Sequence, residues 1–209
     1  MGDPVAVIEC GRLLGQMPIA DPAAGISELR FSGVHMPGVL LRVAGAGQSL
    51  AASEDTYARG EDRVSTHPAT DAFPFRTQLY WSARSLAAGG VAITLTVSLQ
   101  TDLLDTSPEL SLTTRIDNAT AKLLGGDVCR LDAEQSPSVV IAPHPSDMLE
   151  FNPTVRDGEV VLQFTPPFLE KGVIRRCRVA AILLPHDTDD VSVAKAIEEF
   201  AALPLPLAT

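Results

Sequence analysis

From Val91 to Gln100 the chain alternates without a break. Val91, Ile93, Leu95, Val97 and Leu99 fall on one side, and Ala92, Thr94, Thr96, Ser98 and Gln100 on the other. Successive side chains of a strand project to opposite faces, so this stretch predicts a β-strand with one face on a core and one toward water. Shorter apolar segments, punctuated by prolines and glycines, repeat the signal along the chain. They predict strands over 5–9, 26–31, 39–43, 63–67, 75–82, 91–100 and 110–117, then 128–131, 138–142, 148–151, 160–164 and 173–184. Asp157-Gly158, set between Val155 and Val160, marks a hairpin turn.

One segment near the C-terminus has a different period. Val193, Ala196, Ile197 and Phe200 fall at i, i+3, i+4 and i+7, the apolar stripe of a helix over about 190–202. Asp189 or Asp190 can accept hydrogen bonds from the free N–H groups of its first turn, and Pro204 and Pro206 forbid its continuation. Residues 203–209 are left as a tail. The pattern as a whole predicts an all-β chain: a single-domain antiparallel two-sheet β-sandwich over 1–209, with one C-terminal α-helix closing an end.

Polar positions carry the functional expectation. If the strands over 63–67, 75–82, 91–100 and 110–117 lie side by side, their polar sets share one sheet face. That face would present Arg63, Ser65, His67, Arg76, Gln78, Tyr80, Thr94, Thr96, Ser98 and Arg115. Guanidinium groups offer fixed donor forks, Gln78 offers donor and acceptor, Tyr80 adds a ring with a polar tip, and His67 titrates near neutral pH. The candidate ligand-binding residues are therefore His67, Arg76, Gln78, Tyr80, Arg63 and Arg115, with Tyr80, Arg76 and His67 expected within one pocket. The segment 57–62 precedes this sheet and reads as a hairpin turn with local ion pairs, the alternative being a loop that brings Tyr57 and Arg59 to the face.

Composition narrows the classes. A length of 209 residues buries a sizeable core, and a net charge of -10 repels phosphate backbones, so nucleic acid is not an expected partner. No apolar run reaches membrane-spanning length, so no membrane partner is expected. Met1-Gly2-Asp3-Pro4 lacks the basic start and apolar run of an export signal, and a cytoplasmic location is expected. On that reading the sequon Asn118-Ala119-Thr120 is coincidental. Cys10, Cys129 and Cys177 are odd in number and widely spaced, which suits buried small hydrophobes rather than disulfides.

Other motifs are weaker. Gly45-Ala46-Gly47-Gln48-Ser49 lacks the ending of a phosphate loop and the third glycine of a dinucleotide site, so no cofactor is expected. His144 with Asp147, and His186 with Asp187, Asp189 and Asp190, match no metal-ligand motif, and no metal is expected. Arg175, Arg176 and Arg178 suit cross-strand pairing with carboxylates. The leading expectation is a non-catalytic binding or accessory module holding a saccharide or small anionic molecule on its polar face. A carbohydrate-active enzyme of isomerase or hydrolase type, using His67 with an Arg, is one alternative. A structural subunit whose strand edges or tail pair with another chain or with a second copy, as a homo-oligomer, is the other.

Overall fold

A computed structural model describes residues 4–147, 151–164 and 168–203. In chain order the strands are β1 (Val5–Cys10), β2 (Leu13–Pro18), β3 (Ser27–Phe31), β4 (Val34–Met36), β5 (Gly38–Gly45), β6 (Gln48–Ser49), β7 (Asp55–Arg59), β8 (Asp62–His67) and β9 (Arg76–Ser85). Then follow β10 (Val91–Gln100), β11 (Leu110–Ile116), β12 (Ala119–Gly125), β13 (Val128–Ala133), β14 (Ser138–Pro143), β15 (Phe151–Arg156), β16 (Glu159–Phe164), β17 (Arg175–Leu184) and the helix α1 (Asp190–Ala201). All sheet pairings among these strands are antiparallel, as the all-β expectation requires.

Pairing divides the strands into three sheets rather than the two expected. The large one has eight strands in the order β12-β13-β14-β17-β10-β9-β8-β7. The others run β1-β2-β3-β4 and β15-β16-β11-β5-β6. A single bridge, Ile26 with Leu40, ties these two smaller sheets together. One hydrophobic cluster gathers side chains of all three sheets: Leu95 and Val179 of the large sheet, Leu13 and Leu29 of the second, Leu112 and Leu162 of the third. The sandwich is therefore one eight-stranded sheet facing a layer assembled from two.

The smaller layer is curved by a bulge in β5. Its register against β11 slips between Thr113 and Arg115, so two residues of β5 oppose the single Thr114. Leu41, buried at the bulge, takes φ 54°, and its N–H donates to the Thr114 hydroxyl at 3.1 Å. That hydroxyl replaces a lost ladder bond, which is why a threonine is buried there. The Asp157-Gly158 turn forms as predicted, with Arg156 opposite Glu159 and Gly158 at φ 69°.

The helix lies where its stripe requires an apolar floor. Val193, Ala196 and Phe200 pack on Ala92, Val140, Ala142, Ala180 and Ile182, which point outward from β10, β14 and β17. It therefore covers part of the large sheet's outer face instead of closing an end of the sandwich. Asp189 caps it, accepting from the Ser192 N–H at 2.7 Å. The expected strand over 148–151 coincides with the described residues only at Phe151, and of the expected tail only Leu203 is described. No helix among the described residues is long and apolar enough to cross a membrane.

Candidate functional site on the outer face of the large sheet

Beyond the helix, the outer face turns polar. Register places Arg176 of β17, Ser98 of β10, Gln78 of β9 and Thr66 of β8 on one rung across four strands. The next rung carries Arg178, Thr96, Tyr80, Val64 and Tyr57. These are the chain's two tyrosines, separated by a single strand on the same face. Arg176 and Gln78 are exposed, Ser98 and Tyr80 half-buried. Arg176 has no ion pair among the described residues.

Of the expected ligand set, Arg76, Gln78 and Tyr80 do share this face, together with Thr94, Thr96 and Ser98. The remaining three do not. Arg63 and His67 pair across to Trp81 and Thr77, so their side chains point inward, away from Tyr80 and Gln78. Asp62, Val64 and Thr66 take the outer positions instead. His67 is buried, with Nδ1 2.8 Å from the Ala51 carbonyl and Nε2 3.2 Å from the Ser65 hydroxyl. Tyr80, Arg76 and His67 therefore form no common pocket. Arg115 belongs to another sheet, because β11 pairs with β5 and β16 rather than with β10, and it forms an ion pair with Asp117 at 3.0 Å. The segment 57–62 is the expected hairpin turn, with β7 and β8 turning at Gly60, φ 62°.

Asp62 and Arg84, which the sequence did not single out, hold Tyr80 in place. The Tyr80 hydroxyl donates to Asp62 Oδ2, and Arg84 Nη2 approaches the same oxygen at 3.4 Å. Arg84 Nη1 lies 3.2 Å from Oδ1 but off the angle of a hydrogen bond. Burial, reinforced by the Asp62 carboxylate, pushes the Tyr80 phenol above its ordinary 10.0, so it stays protonated and able to donate. Arg76 is tied to Glu54 at 2.5 Å on the exposed rim. Thr94 and Thr96 carry buried hydroxyl oxygens without a partner among the described residues.

Between the helix and this polar strip sits a buried ionic knot. Arg178 Nη2 donates to Asp147 Oδ1 at 2.9 Å, to Ser146 Oγ at 2.8 Å and to His144 Nδ1 at 2.9 Å. Its backbone N–H donates to Asp147 Oδ2 at 2.6 Å. A guanidinium cannot accept, so His144 Nδ1 is the acceptor and the ring proton resides on Nε2. Nε2 is buried without an acceptor in hydrogen-bond geometry, and the ring meets Phe200 of the helix edge-on at 5.2 Å. Burial, seconded by the Arg178 charge, holds His144 below its ordinary 6.5 and keeps it neutral.

A second knot lies toward β13. Arg130 donates to Asp132 at 2.7 Å and to Ser138 at 3.0 Å, and its Nη1 reaches Asp190 at the helix start at 3.5 Å. Burial alone would raise Asp132, but hydrogen bonds from Ser138 and Arg130 outweigh it and hold that carboxyl below its usual range. The first knot meets the helix at Phe200 beside the polar strip; the second meets its start at Asp190, on the rung of Val140, Ile182 and Ala92.

No family model matches the sequence, and no curated protein matches it. Solved structures do share the fold. A protein assigned as a kojibiose phosphorylase, from the human microbiome, superposes with a TM-score of 0.54 at 12% identity over 82% of this chain. The heparan sulfate lyase HepC from Pedobacter heparinus does so with a TM-score of 0.51 at 9% identity over 84% of this chain. The chain spans 27% of the first protein's length and 34% of the second's. At such identities the likeness establishes a shared sandwich fold.

Proposed function

We propose that this protein is a non-catalytic saccharide-binding module whose ligand lies across the outer face of the large sheet. The observation that carries the reading is the pairing of two adjacent rungs. One offers Arg176, Ser98 and Gln78, and the other sets Tyr80 and Tyr57 beside them. A sugar presents hydroxyls at its edge and C–H groups on its faces, so it suits a strip of donors and acceptors flanked by amphipathic rings. Arg176, unpaired among the described residues, favours a sugar bearing a carboxylate or sulfate. Both fold neighbours named above are, by name, proteins that act on carbohydrates, and this supports the same choice as analogy.

His67 does not supply general acid or base chemistry in this reading, because its ring is buried on the inward side. Isothermal titration with kojibiose, a neutral disaccharide, and with a heparan sulfate tetrasaccharide tests the proposal. Saturable binding is expected for the acidic sugar, weakened about tenfold by Arg176→Ala and also by Gln78→Ala, since each removes a hydrogen-bonding group at the ligand. No heat with either sugar, or binding indifferent to both substitutions, would overturn it.

A further inference from the structure

On the inward side of the same sheet, beneath the β7–β8 edge, lies a cavity of about 290 Å³. Met17, Pro18, Ile19 and Pro22 form an apolar wall, and Arg63 and Trp81 stand on the sheet side. Its volume is near the lower end of small-molecule sites, about 300 Å³. Three observations set it apart from a packing gap. Trp81 is buried, yet its indole Nε1 has no acceptor among the described residues, a condition native interiors rarely leave unanswered. Arg63 has no ion pair among the described residues, and its hydrogen bond to the Asp62 carbonyl at 3.1 Å leaves most of its donors free. Arg63 and Trp81 are direct cross-strand partners, so their donors can converge on one acceptor.

An apolar chamber with a cation and an orphaned N–H side by side is complementary to an amphipathic anion. We propose that this cavity binds a small carboxylate with an aromatic or aliphatic body, its carboxylate accepting from the Arg63 guanidinium and the Trp81 indole N–H. The cavity opens at the β7–β8 edge, where Tyr57 and Val64 also line it, so it adjoins the saccharide face at that edge while Arg63 and Trp81 approach it from the inward side. Planar guanidinium matches carboxylate geometry, and the desolvated indole N–H adds a second fixed donor. The apolar wall supplies the burial that distinguishes such a ligand from a simple inorganic anion.

Trp81 is the chain's one tryptophan, so its fluorescence reports the site without a label. The full chain is titrated with 3-phenylpropionate and, separately, with its neutral amide, in the wild type and in Arg63→Met. The carboxylate is expected to shift the emission saturably. The amide is expected to bind about tenfold more weakly to the wild type, and Arg63→Met to weaken the carboxylate by a similar factor while leaving the amide unchanged. A far-ultraviolet dichroism spectrum like the wild type's establishes that the variant is folded, and the amide comparison stands on the wild type alone. An emission unmoved by millimolar carboxylate, or equal affinities for acid and amide, would overturn the proposal.

Discussion

Removing the Asp147 carboxylate tests whether the ionic knot anchors this face. The Arg178 side chain is 6% exposed and that of Asp147 9%, so neither charge is hydrated to any extent. Asp147→Ala strips the guanidinium of its counter-charge and the Arg178 N–H of its 2.6 Å acceptor. Breaking a buried pair from one side costs about 3–5 kcal/mol. Ser146 and His144 remain as acceptors for Arg178, which places the expected loss near the lower end, about 3 kcal/mol. Arg178→Met should cost about as much, since it leaves a buried carboxylate held by little more than one backbone N–H. The double variant removes both charges, and it should cost less than the sum of the singles by about 2 kcal/mol. Urea unfolding of the four proteins gives this coupling directly, provided the slope with denaturant stays constant. Single-variant losses that simply add, within about 0.5 kcal/mol, would refute the idea that these charges depend on one another.

Two further outcomes follow from the same geometry. His144 is held below 6.5, so protons bind the unfolded chain more readily than the native one. Its contribution is present above 6.5 and lost as the pH falls through its lower native value; unfolding free energies measured against pH should show this slope, and His144→Gln should flatten it. Cys129 is buried with its thiol pushed up to about 11, and Cys177 is buried and pushed up as well, whereas Cys10 is partly accessible. A thiol reagent should therefore titrate one group rapidly in the native protein and the other two on unfolding; three fast groups would contradict the burial.

The fold class was legible wherever the two faces of a strand differ in polarity. β10 alternates cleanly because one side meets the core and the other meets the polar strip. β8 misleads for the opposite reason. Arg63, Ser65 and His67 are polar but point inward, where His67 bonds Ser65 and the Ala51 carbonyl, while apolar Val64 points outward between two tyrosines. Polarity alone could not phase that strand. Arg115 was misplaced because the connection over 101–109 leads from the large sheet to the other layer, and no local signal marks the crossing. β2 was missed because Gly15 and Pro18 read as turn residues.

Much of the candidate site depends on distant pairings. His144 and Asp147 lie 34 and 31 residues from Arg178, and Asp62 lies 18 from Tyr80, so nothing in their local spacing joins them. The helix stripe was readable, yet its docking place followed from the outward apolar positions of three separate strands. Those positions matter because they divide the outer face into a covered apolar part and an open polar part.

The claim that this open part is the ligand surface is tested most directly by chemical-shift mapping. With heparan sulfate tetrasaccharide added to the isotope-labelled protein, the Gln78 side-chain amide and the backbone signals of Ser98 and Thr96 should move together and saturate, while those of Arg115 stay fixed. Shifts gathered on the β11 sheet, or none across β9 and β10, would contradict the assignment.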